Sequence, residues 1–112
     1  MTDQKRSSGS KALAIEIDRK GDTHTIRLGG ELDLDNVDRL DQALIEAEAS
    51  DAARIVLDVD ELLFIDSTGL RVILRATRRA ETTGNRLRLT RGKGYVADMF
   101  RLTALDKTLP FA

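Results

Sequence analysis

The sequence has no cysteine and no tryptophan, and only one proline and one histidine. Without thiols there are no disulfides, no thiolate metal ligands and no cysteine nucleophile. His24 is the only imidazole, and no Gly-x-Ser-x-Gly segment accompanies it, so a serine hydrolase lacks its parts. Aromatic residues make up 4% of the chain and offer little for stacking nucleic-acid bases. Charge of one sign is also missing: 18 basic and 19 acidic residues give a formal charge of −1, which argues against nucleic acid or an anionic membrane as partner. No stretch approaches the roughly 18 apolar residues that a spanning helix needs. Met1–Lys11 has no apolar core of the kind a signal peptide carries. These absences are compatible with a soluble, cytoplasmic protein.

What is present reads as one domain. The 112 residues suffice to bury about two-thirds of the unfolded surface. Residues 1–11 are polar and Ser/Gly-rich, which predicts a disordered tail ahead of a domain over 12–112. Leu13, Ile15 and Ile17 alternate with Ala14, Glu16 and Asp18, the period of a half-buried strand. Arg19–Asp22 reads as a hairpin turn into a second strand over Thr23–Leu28, followed by Gly29-Gly30 and a short extension over Glu31–Leu34. Asp35 is placed to cap a helix with Val37, Leu40, Leu44 and Ala47 on its apolar face. Arg54–Val59 is nearly unbroken in aliphatic residues, which predicts a central strand covered on both faces.

A second helix is expected from Ser67 to about Thr83, with Gly84 at its C′ position. Leu87 and Leu89 face inward on a further strand, and Val96, Met99 and Phe100 place a short helix in the core. Thr108–Phe111 reads as an edge strand, where Pro110 is tolerable. This order predicts an α/β fold: a mixed sheet of four to five strands with helices mainly on one face.

The most informative stretch is Phe64-Ile65-Asp66-Ser67-Thr68-Gly69-Leu70. An apolar run stops there and an amphipathic helix begins. Asp, Ser and Thr at such a junction accept from the orphan N–H groups of the first turn, so Asp66 or Ser67 is a helix cap on the simplest reading. Gly69 is harder to explain by capping, since glycine inside a helix costs about 1 kcal/mol against alanine; close approach of another backbone, or room for a partner, would account for it. An exposed Ser67 hydroxyl is also open to phosphorylation, because a helix N-terminus tolerates negative charge. An aspartic protease is disfavoured: Asp66-Ser67-Thr68-Gly69 is one residue too long for the catalytic triplet, and it feeds a helix.

Three other clusters read more blandly. Glu31, Asp33 and Asp35 could ligate a hard cation, but without EF-hand spacing they are better explained as a solvated cluster or a docking surface for a basic partner. Arg71, Arg75, Arg78 and Arg79 fall within an arc of roughly 100° on the second helix, a solvated face that could border an interface. Gly92-Lys93-Gly94 is too short for a phosphate-binding loop.

Taken together, Phe64–Leu70, the upstream Gly30-Glu31-Leu32-Asp33, the intervening Ile55-Val56-Leu57-Asp58 and the closing Val96–Leu102 resemble the STAS domain. More closely, they are similar to the bacterial anti-sigma factor antagonists. The resemblance runs from about Leu13 to the C-terminus and implies a STAS-like fold and a partner-switching role. On it, Ser67 is the phosphate acceptor, with Thr68 the lesser candidate, and Glu31, Asp33, Asp66, Thr68, Gly69 and Arg71 join Ser67 in the partner-binding surface. Implied partners are an anti-sigma factor that is often a serine kinase, and a PP2C-type phosphatase. Neither a catalytic residue nor a metal or other cofactor is implied. Arg71 stands where many members have glycine, which bears on the choice of kinase or on pairing with phosphoserine. The resemblance also admits a scaffold or regulatory subunit of a signalling, transport or lipid-transfer assembly, with no phosphorylation.

Overall fold

Alternating apolar residues build an antiparallel hairpin from β1 (Ala14–Lys20) and β2 (Thr23–Leu32), with Ala14 opposite Gly29 and Lys20 opposite Thr23. The computed structural model describes residues 12–112, so the expected disordered tail over 1–11 lies outside the described residues. The extension over Glu31–Leu34 is not a separate element. β2 runs through Gly29-Gly30 to Leu32, with register shifts against its parallel neighbour between Arg27 and Gly29 and between Gly30 and Glu31. Gly30 makes this bulge possible. Its φ is +85°, and a Cβ there would lie 2.2 Å from the carbonyl oxygen of Ala12.

β3 (Arg54–Ile65) pairs parallel with β2 on one side and with the short β4 (Leu87–Leu89) on the other, giving the order β1-β2-β3-β4. Among the described residues three α-helices, α1 (Val37–Glu48), α2 (Ser67–Glu81) and α3 (Gly94–Leu102), complete a mixed α/β fold. The core joins Ile26, Leu28 and Leu32 of β2 with Ile55, Leu57, Val59, Leu62 and Ile65 of β3. Leu40, Leu44, Ile73, Val96 and Phe100 close it from the helices.

β3 is not covered on both faces. Ile55, Leu57 and Val59 are buried, but the alternate residues Val56, Asp58 and Asp60 are only half-buried. The outer face is closed by polar groups instead. The Arg27 guanidinium lies 3.4 Å from Asp58 and 3.2 Å from Glu16, and these bonds, with burial opposing them, hold Arg27 further toward its charged form. The Thr90 hydroxyl donates to Asp58 at 3.4 Å and accepts from the Val59 amide at 2.8 Å.

Several expected caps and ends differ. Asn36, not Asp35, precedes α1, and its side chain does not cap the helix. Asn36 braces the β2–α1 loop, accepting from the Asp33 amide at 3.0 Å and donating to the Glu31 carbonyl at 2.9 Å. α2 stops at Glu81 with Thr82 as C-cap, which leaves Gly84 one residue past C′. Thr108–Phe111 forms no edge strand: a 3₁₀ turn (Leu105–Lys107) intervenes, and only Phe111 bridges to Leu89. Pro110 has no N–H to extend a ladder. Met99 is half-buried, whereas Val96 and Phe100 fill the core as the spacing predicts.

Arg79 departs from the solvated-face reading of its helix. Its guanidinium donates twice to Glu48, each at 2.8 Å, and ties α2 to the end of α1. Arg86 then caps the same end, donating to the carbonyls of Glu48, Ser50 and Ala52.

Gly30→Ala tests the bulge. The left-handed φ alone costs about 1–2 kcal/mol, and the Ala12 carbonyl must also move. Urea denaturation should show at least that loss, whereas an unchanged midpoint would contradict the close approach.

Candidate functional site

The parallel strands β2 and β3 end side by side at Leu32 and Ile65, and both chains turn outward there. In open α/β sheets this carboxyl end is where sites form. Asp66 takes the turn. Its amide donates to the Leu32 carbonyl at 3.2 Å, which binds the exit of β3 to the exit of β2. One carboxylate oxygen, Oδ1, accepts from the amides of Thr68 and Gly69 at 3.0 and 3.1 Å and from the Thr68 hydroxyl at 2.5 Å. Oδ2 accepts from the amide of Leu34 at 3.2 Å. Asp66 is therefore the N-cap of α2 and a clasp on the β2–α1 loop. Burial pushes its carboxyl pKa up, but the bonds from Thr68, Gly69 and Leu34 outweigh that and hold it below the usual carboxylate range.

Ser67 follows as the first residue of α2. It is exposed, and its hydroxyl has no partner among the described residues. The cap is thus Asp66, and Ser67 is left free. Thr68 is half-buried with its hydroxyl committed to Asp66. Gly69, expected at the partner surface, is buried instead. A Cβ there would lie 2.8 Å from Leu32 Cδ2 and 2.9 Å from Ile65 Cγ1, so side chains of the two strand ends, not a backbone or a partner, demand glycine.

Two segments that are distant in sequence meet at this corner through the Leu34–Asp66 bond. Asp33 is half-buried, and its Oδ1 accepts from the Asp35 amide at 3.0 Å. Glu31 is half-buried nearby in sequence, the penultimate residue of β2. Among the described residues, no three carboxylate or imidazole groups gather to hold a metal ion. Arg71 lies one turn beyond Ser67, exposed and without a partner among the described residues.

Sequence reasoning missed the apolar surface around the corner. Leu34 and Leu63 are 71% and 73% exposed. Phe64 stacks on Tyr95 of α3 with ring centroids 5.3 Å apart. A shallow groove of about 240 Å³ runs from Ser67 along Leu70, Arg71 and Leu74 to Thr103 and Leu105. One signal was available: Leu62–Ile65 are four consecutive apolar residues on a strand with one covered face, so two of them must look outward.

Comparison with known proteins adds the family context. Residues 15–110 match the family model described as Mlab, STAS domain. The fold superposes on the anti-sigma factor antagonist SpoIIAA in its unphosphorylated form with a TM-score of 0.74 and 26% identity, covering 88% of each chain. The Bacillus cell fate determinant SpoIIAA in the phosphorylated form gives 0.68 and 25%, covering 88% of this chain and 91% of that one. An anti-sigma factor antagonist from Mycobacterium paratuberculosis shares the fold at 0.78 with 22% identity, covering 93% and 88%.

Asp66→Ala should destabilise the fold by about 1–2 kcal/mol through the lost cap, measured by urea titration at neutral pH. Because the folded pKa is depressed, this contribution is present above the unfolded carboxyl pKa and is lost as pH falls through the lower folded value. The gap between wild type and Asp66→Ala should hold from neutral to mildly acidic pH and close only below the usual carboxylate range. A gap that closes near pH 6 would contradict the clasp.

Proposed function

Because the chain belongs to the STAS-domain family, we propose that it acts as an anti-sigma factor antagonist switched by phosphorylation of Ser67. The observation carrying this reading is the free, exposed Ser67 hydroxyl directly after a capping aspartate whose oxygens are both engaged. The likeness to an antagonist solved in unphosphorylated and phosphorylated forms supports it. In the unmodified state the corner docks on an anti-sigma factor of the serine-kinase type and frees the sigma factor. That kinase then modifies Ser67, and a PP2C-type phosphatase reverses the mark. The role is one of binding in the cytoplasm, not catalysis.

The contact surface we assign comprises Ser67 and Arg71, the carboxylates Glu31 and Asp33, and the apolar Leu34, Phe64 and Tyr95. Asp66, Thr68 and Gly69 hold the corner in shape rather than reach across. A few aromatic and apolar anchors carry most interface energy, and the stacked Phe64 and Tyr95 rings supply such an anchor beside the strand ends.

Phosphorylation adds about −1.5 to −2 charges at neutral pH. Free in water at the first position of α2, that charge is favoured by the helix dipole. Covered by a partner it is desolvated beside the Asp66 carboxylate, and like charges in an interface cost several kcal/mol. A penalty of ~4 kcal/mol corresponds to about a thousandfold in affinity. The switch needs no change of fold.

A second reading has its own support, since the matching family model is described by Mlab and not as an antagonist. On it, the domain is an unphosphorylated regulatory subunit of a larger assembly.

Incubation with the cognate kinase and ATP separates the two. Mass spectrometry should find one phosphate, on Ser67, and none in Ser67→Ala. Ser67→Asp should keep its far-UV CD and thermal midpoint while losing anti-sigma binding by two to three orders of magnitude. Unmodified wild type recovered in a stable assembly would favour the subunit reading, and an unfolded Ser67→Asp would refute a purely local switch.

A further inference from the structure

Ser67 heads a row of side chains on α2. Arg71, Arg75 and Arg78 follow it at steps of four, four and three, so they line up along one ridge of the helix. Ser67 and these three arginines are all exposed. The helix itself offers the first two cations no compensation, because no Asp or Glu stands three or four positions from Arg71 or Arg75. They are instead neighbours of like sign, which is mildly unfavourable at this spacing. Among the described residues neither has an ion-pair partner.

The amides beyond Ser67 are already taken. Those of Thr68 and Gly69 donate to the Asp66 carboxylate at 3.0 and 3.1 Å, and that of Leu70 donates to the Asp66 carbonyl at 3.1 Å. A helix N-terminus ordinarily receives an anion through such amides, but here the cap would have to leave first. Ser67 and Arg71 share a shallow groove with Leu70, Leu74, Thr103 and Leu105. The Thr103 hydroxyl is committed to the Met99 carbonyl at 2.6 Å. Among the described residues that line the groove, Arg71 is therefore the one cation, and its guanidinium has no partner.

We propose that Arg71 is the intramolecular partner of a phosphate on Ser67: its guanidinium, one turn along the ridge, holds the phosphate oxygens while Asp66 keeps the amides. This pairing presupposes that Ser67 is phosphorylated, as proposed above, and specifies how the marked state is held. An anion four residues ahead of a cation is the favoured order on a helix. The planar guanidinium can meet two phosphate oxygens at once. Pairing also offsets the like-charge contact with Arg75 and withdraws Arg71 from the contact surface. Modification then removes a cation from that surface as well as adding an anion.

The test uses the full chain with phosphoserine installed at position 67 during translation, so that no kinase is needed. Followed by phosphorus NMR, the second phosphate pKa should be lower with Arg71 present than in Arg71→Ala by about 0.3 pH unit, a twofold change in proton affinity. Both chains retain the anions of this corner, Asp66 on the cap and Glu31, Asp33 and Asp35 on the adjoining segment, so the difference reads Arg71 alone. Arg75→Ala, a turn further on, should have less than about half the effect, and in 1 M salt, where the screening length is about 3 Å, most of the difference should vanish. The Arg71 Nε–H signal should shift and exchange more slowly only in the phosphorylated chain. Both arginines are exposed, so both variants should match the wild-type far-UV CD.

Equal pKa values with and without Arg71, an equal effect of Arg75, or an Arg71 signal unmoved by phosphate would overturn the proposal. Loss of the Thr68 and Gly69 cap signature would do the same, because the phosphate would then have displaced Asp66 from the amides. The two readings fail separately. A kinase that leaves Ser67 unmodified counts against the phosphorylation switch, whereas an absent Arg71 effect in the chain with installed phosphoserine counts against this pairing alone.

Discussion

The Asp66 carboxylate is the interaction on which the candidate site depends. One side chain caps α2 through Thr68 and Gly69 and reaches across to the amide of Leu34. Helix start, strand end and the β2–α1 loop are thereby held as one unit. Both oxygens are engaged, so Asp66 is neither a free base nor an open ligand. Its neighbour Ser67 inherits the exposed position with no task in the fold. Division of labour between adjacent residues is what makes a local switch physically reasonable. The cap can stay while the hydroxyl changes.

Packing enforces the same geometry from below. Gly69 lets α2 settle onto Leu32 and Ile65, the last residues of the two paired strands. Any side chain there would lift the helix start, and the bonds to Asp66 would lengthen with it. Arg79 fixes the other end of α2 by its two hydrogen bonds to the Glu48 carboxylate of α1. Constrained at both ends, the helix presents Ser67 and Arg71 from a fixed platform, and a rigid platform limits the ordering cost of binding.

Much of the fold was legible in the sequence because it follows from periodicity. Val37, Leu40, Leu44 and Ala47 predicted the buried stripe of α1, and Leu87 and Leu89 predicted the inward face of β4. The elements misread were those decided by tertiary contacts. Asp35 reads as a cap by residue type, but Asn36 and Asp33 brace the loop and leave Asp35 outside. Aliphatic density in Arg54–Val59 suggested two covered faces, whereas the Glu16–Arg27–Asp58 network closes the outer one. At the corner the residue types foretold a cap and an exposed hydroxyl. They could not divide those roles between Asp66 and Ser67, since either residue type can cap; nor could they show the added clasp, which comes from the Leu34 amide, 32 positions away. The apolar surround of Leu34, Leu63, Phe64 and Tyr95 was hidden for the same reason: it assembles from three separate elements.

The central claim is that phosphate on Ser67 changes what the corner presents and not how it is built. Amide NMR of the singly phosphorylated chain tests it most directly. The account predicts shifts confined to residues 66–71 and to the adjoining loop at 33–34, with exchange protection in β3 and the body of α2 unchanged. Loss of the Thr68 and Gly69 cap signature, with shifts spreading along α2 into β3, would contradict it.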